Sequence, residues 1–386
     1  MIPLAKPNIN TQRVLLDLMT VLTSGWWTMG EYTKNLEKEF AEYVGAKYAI
    51  ATNSCSMSLF LSLIVLDVRD HYVYTSPLTF CSTINSAIHA GARGVFLADI
   101  NFDTQCMNPS NIFPKPGPDD VLLPVHFAGF PCNMNEFVEL SKETGARIVE
   151  DCAHAVETQF HRQHVGTFGD MGCYSFNPTK NIAAPEMGMI VTNDEEKAEK
   201  LRRLRIHGMD ADASERVNSN GTYSLVDCGY KANCTDFEAV VALSQLRNVE
   251  ANWEARKYIW NQYNLAFKNF CNREIFNGIY PGIRPSLNPN VGYVHGYHLY
   301  TICLGNRDDF IAKMREKQVY CGIHYKPVNL HPCYRNLGWH SGMFNNAEWI
   351  GKRTVSLPLG PGMTTKDVNH VVSATKELLE TGDYLL

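Results

Sequence analysis

The stretch CYSFNPTKNIAAPEMG, residues 173–188, places a lysine where the pattern predicts a buried position. A short strand-like run ends in an Asn-Pro turn, and Lys180 follows this turn directly. The residues after it are mostly small or apolar and include Pro185. Burial lowers the pKa of a lysine and frees its amine to attack a carbonyl. Taken alone, a lysine after a strand is most often a surface residue, so its role depends on the rest of the chain.

Strand-like and helical runs alternate on both sides of this stretch. The predicted strands are YAIAT, VYTSP, GVFLADI, VLLPVHF, RIVEDCA and GMIVTND. The predicted helices are TKNLEKEFAEYVGA, NSCSMSLFLSLIVLD, STINSAIHAG, MNEFVELSKETGA and EEKAEKLRRLRIHG. Such alternation is typical of an α/β fold with a mostly parallel central sheet that helices flank on both faces.

The composition changes near Asn233, where a long helical stretch over 236–267 follows. Beyond it lie two strand-like runs, HLYTICL and YCGIHY, and two helical runs, RDDFIAKMREKQ and TKDVNHVVSATKELLE. We therefore predict a large α/β domain over residues 1–250 and a smaller C-terminal α+β domain over residues 251–386.

Charge and composition exclude several classes of protein. The 386 residues include 35 basic and 40 acidic side chains, a net charge of -5 without a basic stripe, which argues against nucleic acid or an anionic membrane as a partner. The sequence has no apolar run long enough to span a membrane and no secretory signal at its start. Its 12 cysteines form no C-x-x-C pair, which argues against a zinc site. Twelve free thiols would fit a reducing compartment, so we predict a cytoplasmic location.

Three polar or aromatic positions follow predicted strands, where open α/β sheets bind ligands. In NSCSMS, Ser54 can cap a helix whose free N–H groups, with Ser56, could hold a phosphate, although plain capping is the more common role of such a stretch taken alone. Asp151 could pair with a protonated ring nitrogen or accept backbone N–H groups. Phe80 could cover a flat cofactor or belong to the core. With Lys180, these are the groups that pyridoxal phosphate (PLP) requires: an amine, a carboxylate, a helix N-terminus and a stacking ring.

Motifs along nearly the whole chain resemble those of the DegT/DnrJ/EryC1/StrS family of PLP-dependent sugar aminotransferases, which have the type I fold of aspartate aminotransferase. The matching segments, in family order, are IPLAKPNI, SGWWTMGEYTKNLEKEFAEYVGAKYAIATNS, PVHFAG, VEDCAHA, GTFGDMGCYSFNPTKN, IVTND, GYKANCTDFEAVVALSQL, GIHYKPVNLHPCY and SLPLGPGMT.

The resemblance implies a role for each matching residue. Lys180 takes the place of the Schiff-base lysine, which also moves the substrate proton. Asp151 takes that of the partner of the pyridine nitrogen, and His154 that of a Gln or His near the ring hydroxyl. The remaining cofactor contacts implied by the resemblance are Phe80 for stacking and Ser56, the backbone at Met57 and Ser175 for the phosphate.

The family also uses residues from a second subunit. Its GYKxN segment reaches the phosphate in the neighbouring site, which implies that Lys231 and Asn233 act across a homodimer interface. His324 and Tyr325 match residues at the substrate end of the site. The HRQH stretch, residues 161–164, has metal-like spacing, but we interpret it as a polar hairpin because no third ligand is evident, and we predict no metal site.

The run after the lysine departs from the family pattern. The family usually has a Thr-Thr-Gly-Glu-Gly-Gly-like run there, whereas residues 183–188 read AAPEMG, so only Glu186 and Gly188 keep their types. Cys55 replaces the glycine of the usual Ser-Gly-Thr phosphate loop. No group needed for transamination is lost. We expect the changed run to alter the wall beside Lys180, and Glu186 to face the substrate.

The resemblance implies a cytoplasmic aminotransferase that takes an amino group from L-glutamate, holds it as pyridoxamine phosphate and passes it to a nucleotide-linked 4-keto-6-deoxyhexose, with C4 favoured over C3. Alternatives are a smaller phosphorylated ketone or cyclitol as acceptor, or a non-catalytic binding or regulatory protein. Family members that act as dehydratases replace the lysine with histidine, so Lys180 argues against that reaction.

Overall fold

The computed structural model describes residues 1–211, 221–270, 280–281 and 292–386. The helices in these ranges are α1 Thr11–Ser24, α2 Glu31–Val44, α3 Cys55–Val65, α4 Cys81–His89, α5 Met134–Thr144, α6 Glu195–Leu204, α7 Asp236–Leu246, α8 Val249–Phe267, α9 Arg307–Glu316, α10 Asn345–Arg353 and α11 Thr365–Leu379. The strands are β1 Tyr48–Thr52, β2 Tyr72–Thr75, β3 Gly94–Leu97, β4 Val121–Leu123, β5 Arg147–Asp151, β6 Gln159–Phe160, β7 Gln163–His164, β8 Met171–Ser175, β9 Gly188–Thr192, β10 Tyr280–Pro281, β11 Tyr300–Cys303 and β12 Thr354–Leu357.

The central sheet has seven strands in the order β1-β9-β8-β5-β4-β2-β3. The pairs β2–β3, β2–β4, β4–β5 and β5–β8 are parallel, and β9 is antiparallel to both of its neighbours. The prediction of a mostly parallel sheet is confirmed. Because every strand except β9 runs the same way, the segments that follow β1, β2, β5 and β8 meet at one edge of the sheet.

Helices cover both faces of this sheet. Along β4, Leu122 packs into one apolar cluster, whereas Val121 and Leu123 pack into another. Along β8, Tyr174 packs into the first cluster and Cys173 packs into the second. This alternation follows from the two-residue period of a strand. Helices α2, α5 and α7 supply side chains to the first cluster, and α3 and α6 supply them to the second.

The C-terminal part builds a smaller sheet, β10-β11-β12, against α8, α9 and α11. Strands β11 and β12 are antiparallel. Ile2, at the other end of the chain, packs into the same apolar cluster and pairs with Val319. The first residues therefore pack with the C-terminal part, and the boundary near residue 250 stays a prediction.

The structure differs from the sequence-based expectation at several elements. The helical stretch over 236–267 is two helices, because Asn248 leaves helical geometry and its amide donates to the Ser244 carbonyl. YCGIHY forms no strand; only Gly322 makes a bridge, with Ser356. Helices α1 and α10 were not predicted. The HRQH hairpin is confirmed as β6–β7.

Two further observations concern membrane spans and cysteines. No helix within the described ranges is both long enough and apolar enough to cross a membrane. All eleven cysteines in these ranges are free thiols, and Cys271 lies outside them.

Candidate active site

A cavity of about 350 Å³ opens at the edge of the sheet where the parallel strands end. Among the residues that line it are nine of those singled out from the sequence: Ser56, Phe80, Asp151, His154, Ser175, Lys180, Glu186, His324 and Tyr325. The fold therefore brings together side chains that are up to 269 positions apart, from Ser56 to Tyr325 (325 − 56). Met57, Lys231 and Asn233 do not line the cavity.

Lys180 lies at the end of a tight turn after β8. Its backbone N–H donates to the Asn177 carbonyl at 2.8 Å, and the Asn177 side chain accepts from the Thr179 N–H. Burial lowers the pKa of the Lys180 amine to about 8, although electrostatic interaction with Cys55 and Asp151 acts in the opposite direction. A larger fraction of this amine is therefore neutral near physiological pH than of an ordinary lysine.

Asp151 ends β5 and is almost completely buried. One carboxylate oxygen accepts from the Thr83 hydroxyl at 2.9 Å, and the other accepts from the Ala153 N–H at 3.1 Å. Burial raises the pKa of Asp151, and these two donors and Lys180 lower it again. The backbone bond is the one that a purely structural carboxylate would make. The residue still lines the cavity, where it can pair with a cationic ring nitrogen.

His154 is held in one neutral tautomer. Its Nδ1 lies 3.2 Å from the Ala128 N–H, which can only donate, so Nδ1 accepts and Nε2 carries the proton. Nε2 therefore donates to the Tyr325 hydroxyl at 3.0 Å. Burial and the positive charges of Lys180 and His324 keep the pKa of His154 well below its ordinary value.

The predicted anion site lies at the start of α3 and stays a prediction. Ser54 caps the helix, and its hydroxyl accepts from the Met57 N–H at 3.2 Å. Met57 therefore has its N–H already bound and lies outside the cavity, whereas Ser56 is exposed and lines it. The sequence predicted that the backbone at Met57 contacts the phosphate. In this structure the Met57 N–H is not free, because it donates to the Ser54 hydroxyl. A Cβ on Gly188 would lie 2.5 Å from the Cys55 nitrogen, so only glycine lets β9 pack this closely against the helix start.

Phe80 precedes α4, and its side chain is 56% exposed. The centroid of its ring lies 6.0 Å from that of Tyr325. A large aromatic ring exposed at the mouth of a cavity is not a core residue, so the core interpretation is wrong for this position. The ring is available to cover a flat ligand.

His324 and Tyr325 close the cavity from the C-terminal part of the chain. The Nδ1 atom of His324 lies 2.7 Å from the Ser356 hydroxyl, and burial, together with the charge of Lys180, lowers the pKa of His324 to about 4. Burial and the charge of Asp151 raise the pKa of Tyr325. Both side chains are therefore uncharged near neutral pH.

The AAPEMG run contributes less to the cavity than the sequence suggested. Ala183, Ala184 and Met187 are buried in the protein, and only Glu186 lines the cavity. One carboxylate oxygen of Glu186 accepts from the Asn177 amide at 2.9 Å. The residue of the run that lines the cavity is thus one that keeps the family type, and the expected change of the wall beside the lysine is not seen among the described lining residues.

Lys231 and Asn233 lie beside the start of the phosphate loop but point elsewhere. The Ala232 carbonyl between them accepts from the Asn53 N–H at 2.8 Å. The Asn233 amide donates to the Thr28 hydroxyl at 2.9 Å, and Lys231 is exposed. Their action in a neighbouring site stays a prediction.

Among the residues at or behind the cavity that were not identified from the sequence are Glu157, Asn181, Arg256 and His298. His298 lines the cavity and stacks on His154, with 4.3 Å between the ring centroids. The only available signals were the position of Asn181 next to the lysine and a histidine at the start of the apolar run HLYTICL.

The residues present fit PLP. The neutral fraction of the Lys180 amine can react with the aldehyde of PLP, and Asp151 can pair with its ring nitrogen. The start of α3 can bind the phosphate, and the ring of Phe80 can cover the ring of the cofactor. The tight packing of Gly188 against the same helix start is consistent with a backbone cradle at the phosphate end.

Comparisons with known proteins agree with this fit. The chain is 36% identical to MJ1066 of Methanocaldococcus jannaschii over 98% of this chain and 97% of that protein. It is 35% identical to the spore coat polysaccharide biosynthesis protein SpsC of Bacillus subtilis over 99% of this chain and 98% of SpsC. The solved PLP form of Spr1654 from Streptococcus pneumoniae superposes with a TM-score of 0.87 at 25% identity over 99% of each chain, and a pyridoxamine phosphate (PMP) form is also solved.

Fold, site and comparisons define a PLP-dependent aminotransferase with the type I fold. The chain belongs to the DegT/DnrJ/EryC1/StrS aminotransferase family, which matches residues 9–376.

Proposed function

We propose that this enzyme transfers an amino group from L-glutamate to a keto sugar, namely a nucleotide-linked 4-keto-6-deoxyhexose. The observation that carries the proposal is the buried Lys180 amine in one cavity with Asp151 and His154. The name of SpsC, which refers to polysaccharide biosynthesis, supports a sugar as the acceptor.

Lys180 would bind the cofactor aldehyde and, once released, move a proton at the substrate carbon. With a pKa of about 8, its amine can both accept and donate a proton near neutral pH, as a general acid–base catalyst must. Asp151 would hold the ring nitrogen protonated, and Phe80 would cover the ring. When bound, the cofactor supplies an electron sink for the negative charge that develops at the substrate carbon.

The described lining of the cavity suits the uncharged sugar part of the acceptor. Among the described residues that line it, Lys180 is the only lysine or arginine. The three cavity histidines, His154, His298 and His324, have lowered pKa values and are neutral. Aromatic rings and hydroxyl groups suit a sugar ring, whereas the carboxylates of L-glutamate and the phosphates of a nucleotide need cationic partners from outside this lining.

We propose a homodimer with shared sites. Four large apolar side chains of α1 are more than half exposed: Leu15, Leu16, Met19 and Leu22. A contiguous apolar helix face of this kind marks an interaction surface. In the dimer, Lys231 and Asn233 would reach the phosphate in the partner's site. A cytoplasmic location is part of the proposal and is supported by the free cysteines.

A smaller phosphorylated ketone or cyclitol is a second candidate acceptor. The specific observation in its favour is the cavity volume of about 350 Å³, which must hold both cofactor and substrate. This volume is at the lower end of the range for small-molecule sites.

A two-stage spectroscopic experiment tests the donor and the acceptor separately. L-Glutamate is expected to abolish the visible absorbance band of the lysine-bound cofactor. Nucleotide-linked keto sugars, phosphorylated ketones and cyclitol ketones are then added one at a time, and the true acceptor restores the band. A protein whose band responds to no amino donor would contradict the aminotransferase reaction.

A further inference from the structure

Asn181, the residue after Lys180, is fixed by hydrogen bonds on every side of its amide. Its Nδ2 donates to the Glu157 carboxylate at 2.6 Å and to the Gly296 carbonyl at 2.7 Å. Both partners can only accept while Glu157 is ionised, so the amide cannot be flipped. Its Oδ1 lies 3.0 Å from Nδ1 of His298, which must therefore carry a proton.

The backbone carbonyl of Lys180 has a partner from a different element. Arg256 of α8 is buried and donates from Nη2 to this carbonyl at 3.4 Å and from Nη1 to the Leu359 carbonyl at 3.4 Å. Electrostatic interaction couples Arg256 to Glu157. Glu157 is thus bound to the residue that follows the lysine and faces the cation that holds the lysine carbonyl.

We propose that Glu157 is a positioning residue for Lys180, acting through Asn181 and Arg256. The inference rests on the proposed function, because only a reactive lysine needs this degree of orientation. Displacement of a reacting group by about 1 Å can cost two orders of magnitude in rate, so a fixed backbone on both sides of the lysine carbonyl has a direct catalytic value.

The link extends from Glu157 to the substrate end of the cavity. His298, oriented by Asn181, stacks on His154, and His154 donates to Tyr325. The tautomers of His298 and His154 and the direction of the hydrogen bond to Tyr325 are all defined. A change at Glu157 is therefore transmitted to side chains that line the cavity, although Glu157 itself does not line it.

The charge of Glu157 changes in the working pH range. Burial raises its pKa to about 7, while Arg256 and the Asn181 amide lower it. The other ionisable groups that face it are Glu250, also on α8, and Tyr43 on α2. Its Oε1 atom has no hydrogen-bond partner within the described part of the chain, so its negative charge is only partly compensated.

The first test compares cofactor release from wild type and Glu157→Gln. Glutamine keeps an acceptor oxygen and resembles the protonated carboxyl, so the two proteins should release PLP at similar rates at about pH 6. At about pH 8 the ionised wild-type carboxylate binds Asn181 more strongly, and the variant should release cofactor about five-fold faster. A ratio of rates that is the same at both pH values would overturn the proposal.

Glu37→Gln is the matched control. Glu37 is also a largely buried carboxylate paired with a buried arginine, Arg205, but it does not line the cavity. Its ratio of release rates to wild type should not change between the two pH values.

The second test needs no cofactor. In the apoprotein, the pH midpoint for acylation of Lys180, read by mass spectrometry, should be near 8 in wild type and in Glu157→Gln. In Glu157→Leu and Asn181→Leu the pH midpoint should rise toward the ordinary lysine value of 10.5, because the lysine is no longer held in its buried position. The double variant should show no further rise beyond Glu157→Leu, because the Glu157–Asn181 bond is already lost in that single variant. A folded Glu157→Leu with an unchanged midpoint would overturn the proposal.

The two failures are distinguishable. If the bound cofactor responds to no amino donor or acceptor, the proposed function fails while the release rates and the acylation midpoints still report on positioning. If wild type binds PLP and the Glu157 variants behave like it, the positioning role alone fails.

Discussion

His154 and Tyr325 are joined by a hydrogen bond of 3.0 Å between Nε2 and the phenol oxygen, which ties the segment after β5 to the C-terminal part of the chain. The bond has a direction, because Nδ1 of His154 already accepts from the Ala128 N–H. A neutral histidine of fixed orientation and an uncharged tyrosine thus define one wall of the cavity.

This relationship predicts different results for two substitutions of His154. Glutamine can accept from the Ala128 N–H and donate to Tyr325, so His154→Gln should retain activity within about ten-fold of wild type. His154→Leu leaves the Ala128 N–H unpaired and should lose about ten-fold or more in kcat beyond the glutamine variant. Steady-state kinetics with thermal unfolding as a check on folding measures both. Equal activity of the two variants would mean that the hydrogen bonds are not needed.

Replacement of Lys180 tests the cofactor anchor. Lys180→Ala should fold but lack the visible band of the lysine-bound cofactor. Its activity should fall by at least about a thousand-fold, since in the proposed function the amine both binds the aldehyde and moves the proton. Lys142→Ala, at an exposed lysine in the last turn of α5, is the control and should keep band and activity. Turnover by the Lys180→Ala protein would refute the assignment.

The sequence predicted those parts of the fold and site that depend on local pattern. Short apolar runs between helical ones predict a parallel sheet, and residues just after its strands, such as Asp151 and Lys180, meet at one edge for that reason. The Glu157–Asn181–His298 link joins three distant segments, the last two of them 117 positions apart. No periodicity encodes such a contact. Helix α1 was also not predicted, and four of its large apolar residues are more than half exposed.

The raised pKa of Glu157 also has a consequence for stability. Its pKa in the folded protein is about 7, above the usual 4.5, so the folded state binds more protons than the unfolded state between these values. The contribution of Glu157 to stability is therefore present at low pH and lost as the pH rises through about 7. Glutamine at this position lacks the effect.

Denaturant unfolding of wild type and Glu157→Gln measures this difference. From about pH 5 to about pH 8, the free energy of unfolding of the variant should rise relative to wild type by roughly 2 to 3 kcal/mol. The comparison uses apoprotein at one protein concentration, because both cofactor and subunit association add to stability. A constant difference across the pH range would show that Glu157 does not titrate there.

The proposed shared dimer site predicts complementation between two inactive proteins. Lys231→Ala should retain cofactor poorly, because the phosphate loses a cationic partner from the other subunit, and Lys180→Ala should be inactive. In a mixed dimer of the two variants, one site carries both lesions. The other combines Lys180 of one subunit with Lys231 of its partner and is intact. Unfolding and refolding the mixture should therefore restore activity, although neither protein alone shows it.

The restored activity has a defined upper limit and a clear control. Random pairing of equal amounts gives about half mixed dimers with one intact site each, so the mixture should reach at most about a quarter of wild-type activity per subunit. If Lys231 acted within its own subunit, every site in the mixture would carry a lesion and no activity would return. A mixture of Asn233→Ala with Lys180→Ala should also regain activity. The control is a mixture of Lys180→Ala with Glu157→Leu. Its activity should not exceed that of the Glu157→Leu subunits alone, because Glu157 and Lys180 belong to the site of one chain.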